Sequence, residues 1–173
     1  MKMNYCPVCG RALIQREHPT EPPTAWCEGC GDWRFPLYSA AVSVILLNPG
    51  RDRVLLIRQY GETEPVLVAG YIDKGETAEA AVLREVSEEL GLCAREPRFL
   101  ASHYYAPSET LMLNFLATVP EETPRPNAEV DGWLWVPAEE APRLVKPGGL
   151  AETLLADWRP EDCKPGRLYQ VDI

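Results

Sequence analysis

The chain has 173 residues, 46% of them hydrophobic, and a formal net charge of −9. That length suits one ordinary domain, or one domain with a small module attached, and leaves enough apolar residues for a packed core. The acidic balance argues against general nucleic-acid or anionic-membrane binding, both of which want basic surface, and no apolar run reaches the roughly 18 residues of a membrane-spanning helix.

The opening residues, MKMNYCPVCG, lack the apolar centre of a secretion signal, so a cytoplasmic protein is expected. Four of the six cysteines form two CxxC pairs, Cys6/Cys9 and Cys27/Cys30, with 17 residues between them. Without a secretion signal, this pattern points to a structural Zn²⁺ held by four thiolates rather than to disulfides. A redox dithiol explains two matched pairs poorly. Each pair continues into glycine, Gly10 and Gly31, which lets the backbone turn and aim amides at the sulfurs. Residues 1–36 therefore read as a zinc ribbon closed by Phe35-Pro36, with almost no core and a fold that depends on metal. Its charges, Lys2, Arg11, Arg16 and Arg34 against Glu17, Glu21, Glu28 and Asp32, balance to zero, which favours a structural role over nucleic-acid binding. His18, between the pairs, reads as an ordinary surface residue. Cys93 and Cys163 read as plain buried or half-buried thiols.

Residues 37–173 form the expected second domain. Residues 40–47, AAVSVILL, are apolar and β-branched enough for a central strand, and Asn48-Pro49-Gly50-Arg51-Asp52 is a turn. Residues 54–60 and 66–69 read as further strands, separated by a break at 61–65. The loop 70–76 carries Gly70 and Gly75, which suggests unusual backbone angles and close approach to another group. A helix follows, with Thr77 as N-cap, Glu79 in the first turn and Gly91 as its stop. At about 100° per residue, Val82, Leu83, Val86 and Leu90 share one arc. Glu85, Glu88 and Glu89, spaced i, i+3, i+4, form a second arc beside it. Arg84 is the only cation between residues 77 and 91, in the less favourable orientation for pairing with Glu88. Carboxylates about 6 Å apart repel by roughly 2–3 kcal/mol per pair at an effective dielectric near 20. A divalent cation would offset that repulsion, and oxygen ligands suit Mg²⁺ or Mn²⁺.

Beyond the helix, residues 98–105 and 110–119 read as an antiparallel pair around Ala106-Pro107-Ser108-Glu109. Residues 120–128 hold three prolines and form a loop. Residues 130–136 form a strand, a short helix starts at Pro137 and runs through residue 144, and a final helix covers 149–158. The tail from Arg159 is polar, with a short strand expected at 168–171. The sum is an α/β fold, an α/β/α sandwich on a mixed sheet preceded by the ribbon.

Gly70, Glu76 and the run Arg84-Glu85-Val86-Ser87-Glu88-Glu89-Leu90-Gly91-Leu92 together resemble the Nudix box. All seven fixed positions are present over 23 residues: Gly70, Glu76, Arg84, Glu85, Glu88, Glu89 and Gly91. The resemblance implies hydrolysis of a nucleoside diphosphate linked to another moiety. It implies that Glu85, Glu88 and Glu89 bind Mg²⁺ or Mn²⁺, and that one of them, or a water they orient, supplies the base. Arg84 would hold the geometry of the carboxylates, Glu76 would brace the loop, and the backbone at Gly70 would lie near the metal.

A zinc ribbon directly before a Nudix domain is similar to one subgroup, the bacterial NAD(H) diphosphatases. The likeness includes Phe35-Pro36, the Ala69-Gly70-Tyr71 step into the box, and Glu129 six residues before Trp135. It implies a homodimer in which Phe35 and Tyr71 stack on a base, with Glu129 completing the metal site. The chain departs from the subgroup at Ser102-His103-Tyr104-Tyr105-Ala106-Pro107-Ser108-Glu109-Thr110-Leu111-Met112, where the framing residues remain and the proline pattern is lost. His103 and Tyr105 in this stretch are candidate substrate contacts. NAD(H) therefore stands beside ADP-ribose, other dinucleotides and modified nucleotides as a substrate. A non-catalytic nucleotide-sensing adaptor is the alternative, but such proteins lose box carboxylates and this chain keeps them. A cap remover acting on RNA would use the same chemistry, and the net charge weighs against it.

Overall fold

The computed structural model describes residues 3–158, so the tail from residue 159, with Cys163 and the strand expected at 168–171, lies outside the described residues. The chain divides into two compact units, Met1–Ser39 and Ala40–Ile173. In the first unit, β1 (Ile14–Arg16), β2 (Thr24–Cys27) and β3 (Asp32–Arg34) form an antiparallel sheet in that order. Each CxxC pair is a tight turn. Gly10 N donates to Cys6 O and Gly31 N to Cys27 O, both at 2.9 Å, and both glycines are left-handed, with φ of 73° and 62°. Among the described residues of this unit, only Cys6 and Cys27 are buried apolar side chains. Rings supply the remaining packing: Trp26 meets Trp33 at 4.8 Å, and Arg16 lies 4.8 Å over Trp26. His18 is more than a surface residue. Its ring packs on Trp33 at 4.6 Å and Phe35 at 5.9 Å, and its Nδ1 accepts from the backbone of Thr20 and Glu21.

In the second unit, β4 (Ser39–Leu47) is central. It borders β8 (Thr110–Thr118) on one side; on the other it pairs at one end with β5 (Arg53–Gln59) and at the other with β6 (Val68–Tyr71). β7 (Arg95–Tyr105) and β9 (Val130–Pro137) are the outer strands. The pairs β4/β5, β4/β6, β5/β9 and β7/β8 are antiparallel. Val119 N donates to Leu47 O at 3.0 Å, which puts the C-terminal ends of β4 and β8 together, so those two strands run the same way and the sheet is mixed. Helix α1 (Ala78–Leu90) covers one face, where Ala81, Val82, Val86 and Leu90 pack on Val42, Val44, Leu46, Leu55 and Ile57. Helices α2 (Ala141–Leu144) and α3 (Leu150–Asp157) cover the other, against Ile45, Leu47, Val54 and Leu56. β4 is buried on both faces, which is why it reads as a continuous apolar run rather than an alternating one.

The caps of α1 form as expected. Thr77 Oγ1 accepts from Ala80 N at 3.2 Å, and Gly91, at φ 62°, closes the end by donating to Ser87 O. Four expectations shift. Cys93, expected to be buried or half-buried, is exposed. Leu83 is 39% exposed, so the buried arc is Ala81, Val82, Val86 and Leu90. Val66 makes only an isolated bridge to Ile57, and the third strand runs Val68–Tyr71. Pro137 ends β9 instead of starting a helix; its carbonyl accepts a turn bond from Glu140 N, and α2 begins at Ala141.

Candidate active site

β6 and α1 meet at Gly70. A Cβ built on Gly70 would overlap the Glu85 carboxylate, so any larger residue there would push that side chain aside. Gly75, at φ 90°, turns the loop back toward the helix. Arg84 then ties the loop down. Its Nε and Nη2 donate to the two oxygens of Glu76, both at 2.9 Å, and Nη2 also donates to Tyr71 O at 2.9 Å. Glu76 in turn accepts from Asp73 N at 3.1 Å. Nη1 of Arg84 reaches Glu85 at 2.7 Å and Glu88 at 3.2 Å. The acidic arc is thus not unpaired: one guanidinium, forked between loop and helix, engages three carboxylates. Glu76 is held below the usual carboxylate range chiefly by that bond. Glu85 is pushed up by burial, which outweighs Arg84.

Glu89 lies on the other side of the cluster. It is 4% exposed, a rare burial for a glutamate. Gln59 Nε2, from the end of β5, donates to its Oε1 at 3.0 Å, while Oε2 is buried without a partner. Burial first, then the charges of Glu85, Glu129 and Glu88, push its carboxyl up to about 7 against the opposing Gln59 bond. The loop before β9 comes alongside because its backbone caps α1: Arg125 N donates to Leu90 O at 2.7 Å and Asn127 N to Glu89 O at 2.9 Å. Glu129, on this loop, accepts from Tyr60 Oη at 3.3 Å. The structure therefore brings Gly70, Glu76, Arg84, Glu85, Glu88, Glu89 and Glu129 into one neighbourhood. A buried carboxylate oxygen lacking a partner, among three more carboxylates, is a donor set that fits a hard divalent cation.

A cavity of about 330 Å³ opens beside Gly70, with a mostly apolar lining that includes Ser43, Tyr71, Tyr105, Met112, Lys146 and Leu150. Tyr71 and Tyr105 thus face one space. His103 does not line it; its Nδ1 accepts from Nδ2 of buried Asn114 at 2.8 Å. Phe35 belongs to the first unit, where it is 53% exposed. Sequence reasoning missed Gln59 and Tyr60. Tyr60-Gly61 carried a weak signal as the break after a strand; nothing local marked Gln59.

The sulfurs of Cys6, Cys9, Cys27 and Cys30 all lie within 4.8 Å of one another, with Cys6 to Cys30 at 3.9 Å and Cys9 to Cys27 at 3.4 Å. A tetrahedral Zn²⁺ sets sulfur–sulfur separations of roughly 3.8 Å, so the four thiols fit that ion. Burial raises the Cys6 thiol, but amides of Cys9 and Val8 and the Arg34 guanidinium, at 3.2 Å, bring it down to about 6. The adjoining Cys9 thiol, then burial, push Cys30 up to about 12. Among the described residues this is the only such group of ligand atoms within 4.8 Å of each other, and His18 is not in it. The acidic cluster is more open, with Arg84 joined to two of its members.

The NUDIX domain family model matches residues 37–156, and the chain belongs to that family. Among curated proteins it is similar to the NAD-capped RNA hydrolase NudC of Photobacterium profundum, 27% identical over 155 residues, covering 88% of this chain and 56% of the relative. It is also similar to the NAD-capped RNA hydrolase NudC of Mycobacterium tuberculosis, 33% identical over 138 residues, covering 75% and 44%. The chain spans about half the length of these relatives. Among solved structures, a NUDIX hydrolase from Nitrosomonas europaea superposes with a TM-score of 0.65 at 20% identity, covering 83% of each chain. The E. coli ORF135 protein superposes at 0.54 with 26% identity, covering 70% of this chain and 91% of the other.

Proposed function

We propose that this chain is a Mg²⁺- or Mn²⁺-dependent hydrolase of the pyrophosphate bond in a nucleoside diphosphate linked to a second moiety, with NAD(H) or a related dinucleotide as the substrate class. The observation that supports it most directly is Glu89: buried, with one oxygen lacking a partner, among Glu85, Glu88 and Glu129. The relatives' name, NAD-capped RNA hydrolase, adds an NAD-capped RNA to the candidate substrates. The net charge of −9 weighs little against such a substrate, because its reacting end is a dinucleotide.

In this reading Glu85, Glu88, Glu89 and Glu129 hold the cation. When bound, it would neutralise the pyrophosphate oxygens and draw charge from the scissile phosphorus. Arg84 keeps two of those carboxylates oriented and staples the loop through Glu76. Water attacks one phosphorus, the bridging P–O bond breaks, and two mononucleotides leave. The proton released by the water passes to one of the box carboxylates. Tyr71 and Tyr105, lining the cavity beside Gly70, are positioned to take a ring of the substrate. Phe35 and Tyr71, both exposed aromatics, are the stacking pair of a homodimer, and the four cysteines hold a structural Zn²⁺. The protein is cytoplasmic in this reading. Among the described residues no helix is long and apolar enough to cross a membrane.

The test is a hydrolysis screen over NADH, NAD, ADP-ribose, dinucleoside polyphosphates, oxidised nucleotides and an NAD-capped RNA, with Mg²⁺ and Mn²⁺ in parallel. Metal-dependent release of two mononucleotides from a dinucleotide is expected, and Glu88→Gln and Glu89→Gln should each lower the rate by about 10² or more while the protein stays folded. Activity confined to nucleoside triphosphates, or undiminished in both variants, would overturn the reading. An adaptor would bind these ligands without turnover.

A further inference from the structure

The two halves of the acidic cluster are held by different chemistry. Arg84 engages Glu76, Glu85 and Glu88. Glu89 and Glu129 receive neutral donors instead, the amide of Gln59 and the hydroxyl of Tyr60. These two donors are consecutive residues, Gln59 the last of β5 and Tyr60 the first beyond it. Their acceptors come from α1 and from the loop before β9, so one short turn touches two carboxylates that are remote in sequence. The turn is unusual in its backbone. Tyr60 has φ 55° and Gly61 φ 76°, and Glu62 N closes the turn on Gln59 O at 3.0 Å. A tyrosine in the left-handed region is strained and persists only where its surroundings hold it. Here Asp131 Oδ2 accepts from Gly61 N at 2.6 Å, which fastens the turn to the start of β9, and a register shift between Arg58 and Gln59 re-aims the last residue of β5.

We propose that the Gln59-Tyr60-Gly61 turn is the positioning element of the cation site, with Gln59 holding Glu89 Oε1 so that Oε2 faces the ion, and Tyr60 holding Glu129 opposite it. This rests on the divalent-cation reading of the cluster. Neutral donors suit this role because they fix a carboxylate without adding a positive charge that would repel the ion, as a lysine or arginine at either position would. Glu89 and Glu129 are therefore the carboxylates whose charge is left for the cation, while Arg84 already offsets much of that on Glu85 and Glu88. Gln59 and Tyr60 act through these carboxylates and are positioning residues.

The test is Mn²⁺ binding to the full chain, titrated by electron paramagnetic resonance without substrate, alongside thermal melts. Gln59→Leu should weaken binding by about tenfold and Tyr60→Phe by about threefold, the smaller loss reflecting the exposed hydroxyl. Tyr60→Gly separates site from scaffold: relief of the left-handed strain should raise the melting temperature while Mn²⁺ binding still weakens. Wild-type Mn²⁺ affinity in folded Gln59→Leu and Tyr60→Phe overturns the inference. Absence of Mn²⁺ binding by the wild-type chain overturns both the inference and the cation reading beneath it, so the two failures are distinguishable.

Discussion

Glu89 ties protonation to folding. Its carboxyl stands at about 7 in the folded chain against its usual 4.5, raised by burial and then by neighbouring carboxylates. Between those values the folded state holds a proton that the unfolded chain has released. Stability from this group is therefore full below about pH 4.5 and lost as pH rises through 7, on the order of 3 kcal/mol. The metal-free protein should melt at a lower temperature at pH 8 than at pH 5.5. Glu89→Gln should flatten most of that slope, and saturating Mg²⁺, which binds the ionised form, should reverse it. A melting temperature that rises with pH in EDTA would contradict the assignment. Gly70 is the other decisive residue. Gly70→Ala must displace the Glu85 side chain, so activity should fall by tenfold or more, roughly the scale of losing one placed ligand. The variant should still fold, because Glu85 can move toward solvent.

At the scale of the element, α1 is held by its ends and its buried face. Val82, Val86 and Leu90 are fully buried, each stabilising by roughly 1.5–3 kcal/mol. Thr77→Ala removes the bond to Ala80 N and should cost about 1 kcal/mol, read as a lower denaturant midpoint with unchanged slope. Gly91→Ala should cost at least as much, because φ is 62° there and a Cβ would lie 3.2 Å from Arg125. That substitution should also lower activity, since it pushes on the loop that carries Glu129. A loss of stability with activity untouched would show that the loop and helix end are not coupled in this way.

For the whole molecule, the two units predict two responses to metal removal. Among its described residues the ribbon has only two buried cysteines and a few rings for a core, so a zinc chelator should unfold residues 1–39. The second unit, with apolar clusters on both faces of its sheet, should keep its cooperative transition. Elemental analysis should find about one zinc per chain, lost in Cys27→Ser. A folded wild type free of zinc would overturn the ribbon's metal. A monomer in sedimentation equilibrium would remove the shared stacking of Phe35 and Tyr71.

What local spacing determines was legible in the sequence. The CxxC turns with their left-handed glycines, the caps of α1, the buried central strand and the carboxylate arc each depend on residues a few positions apart. Their geometry follows from the helix and strand repeats themselves. The family pattern extended that reading to Gly70 and Glu129, without saying what holds them. Only the tertiary structure decided that Arg84 turns toward Glu76 in the loop, that Glu85 occupies the space Gly70 leaves, and that His18 packs on Trp33. It alone brought Gln59 to Glu89 across 30 residues and Tyr60 to Glu129 across 69. The physical reason is that a carboxylate's partners and its burial are set by which strand ends and loops the sheet places around it, and that placement has no period in the sequence.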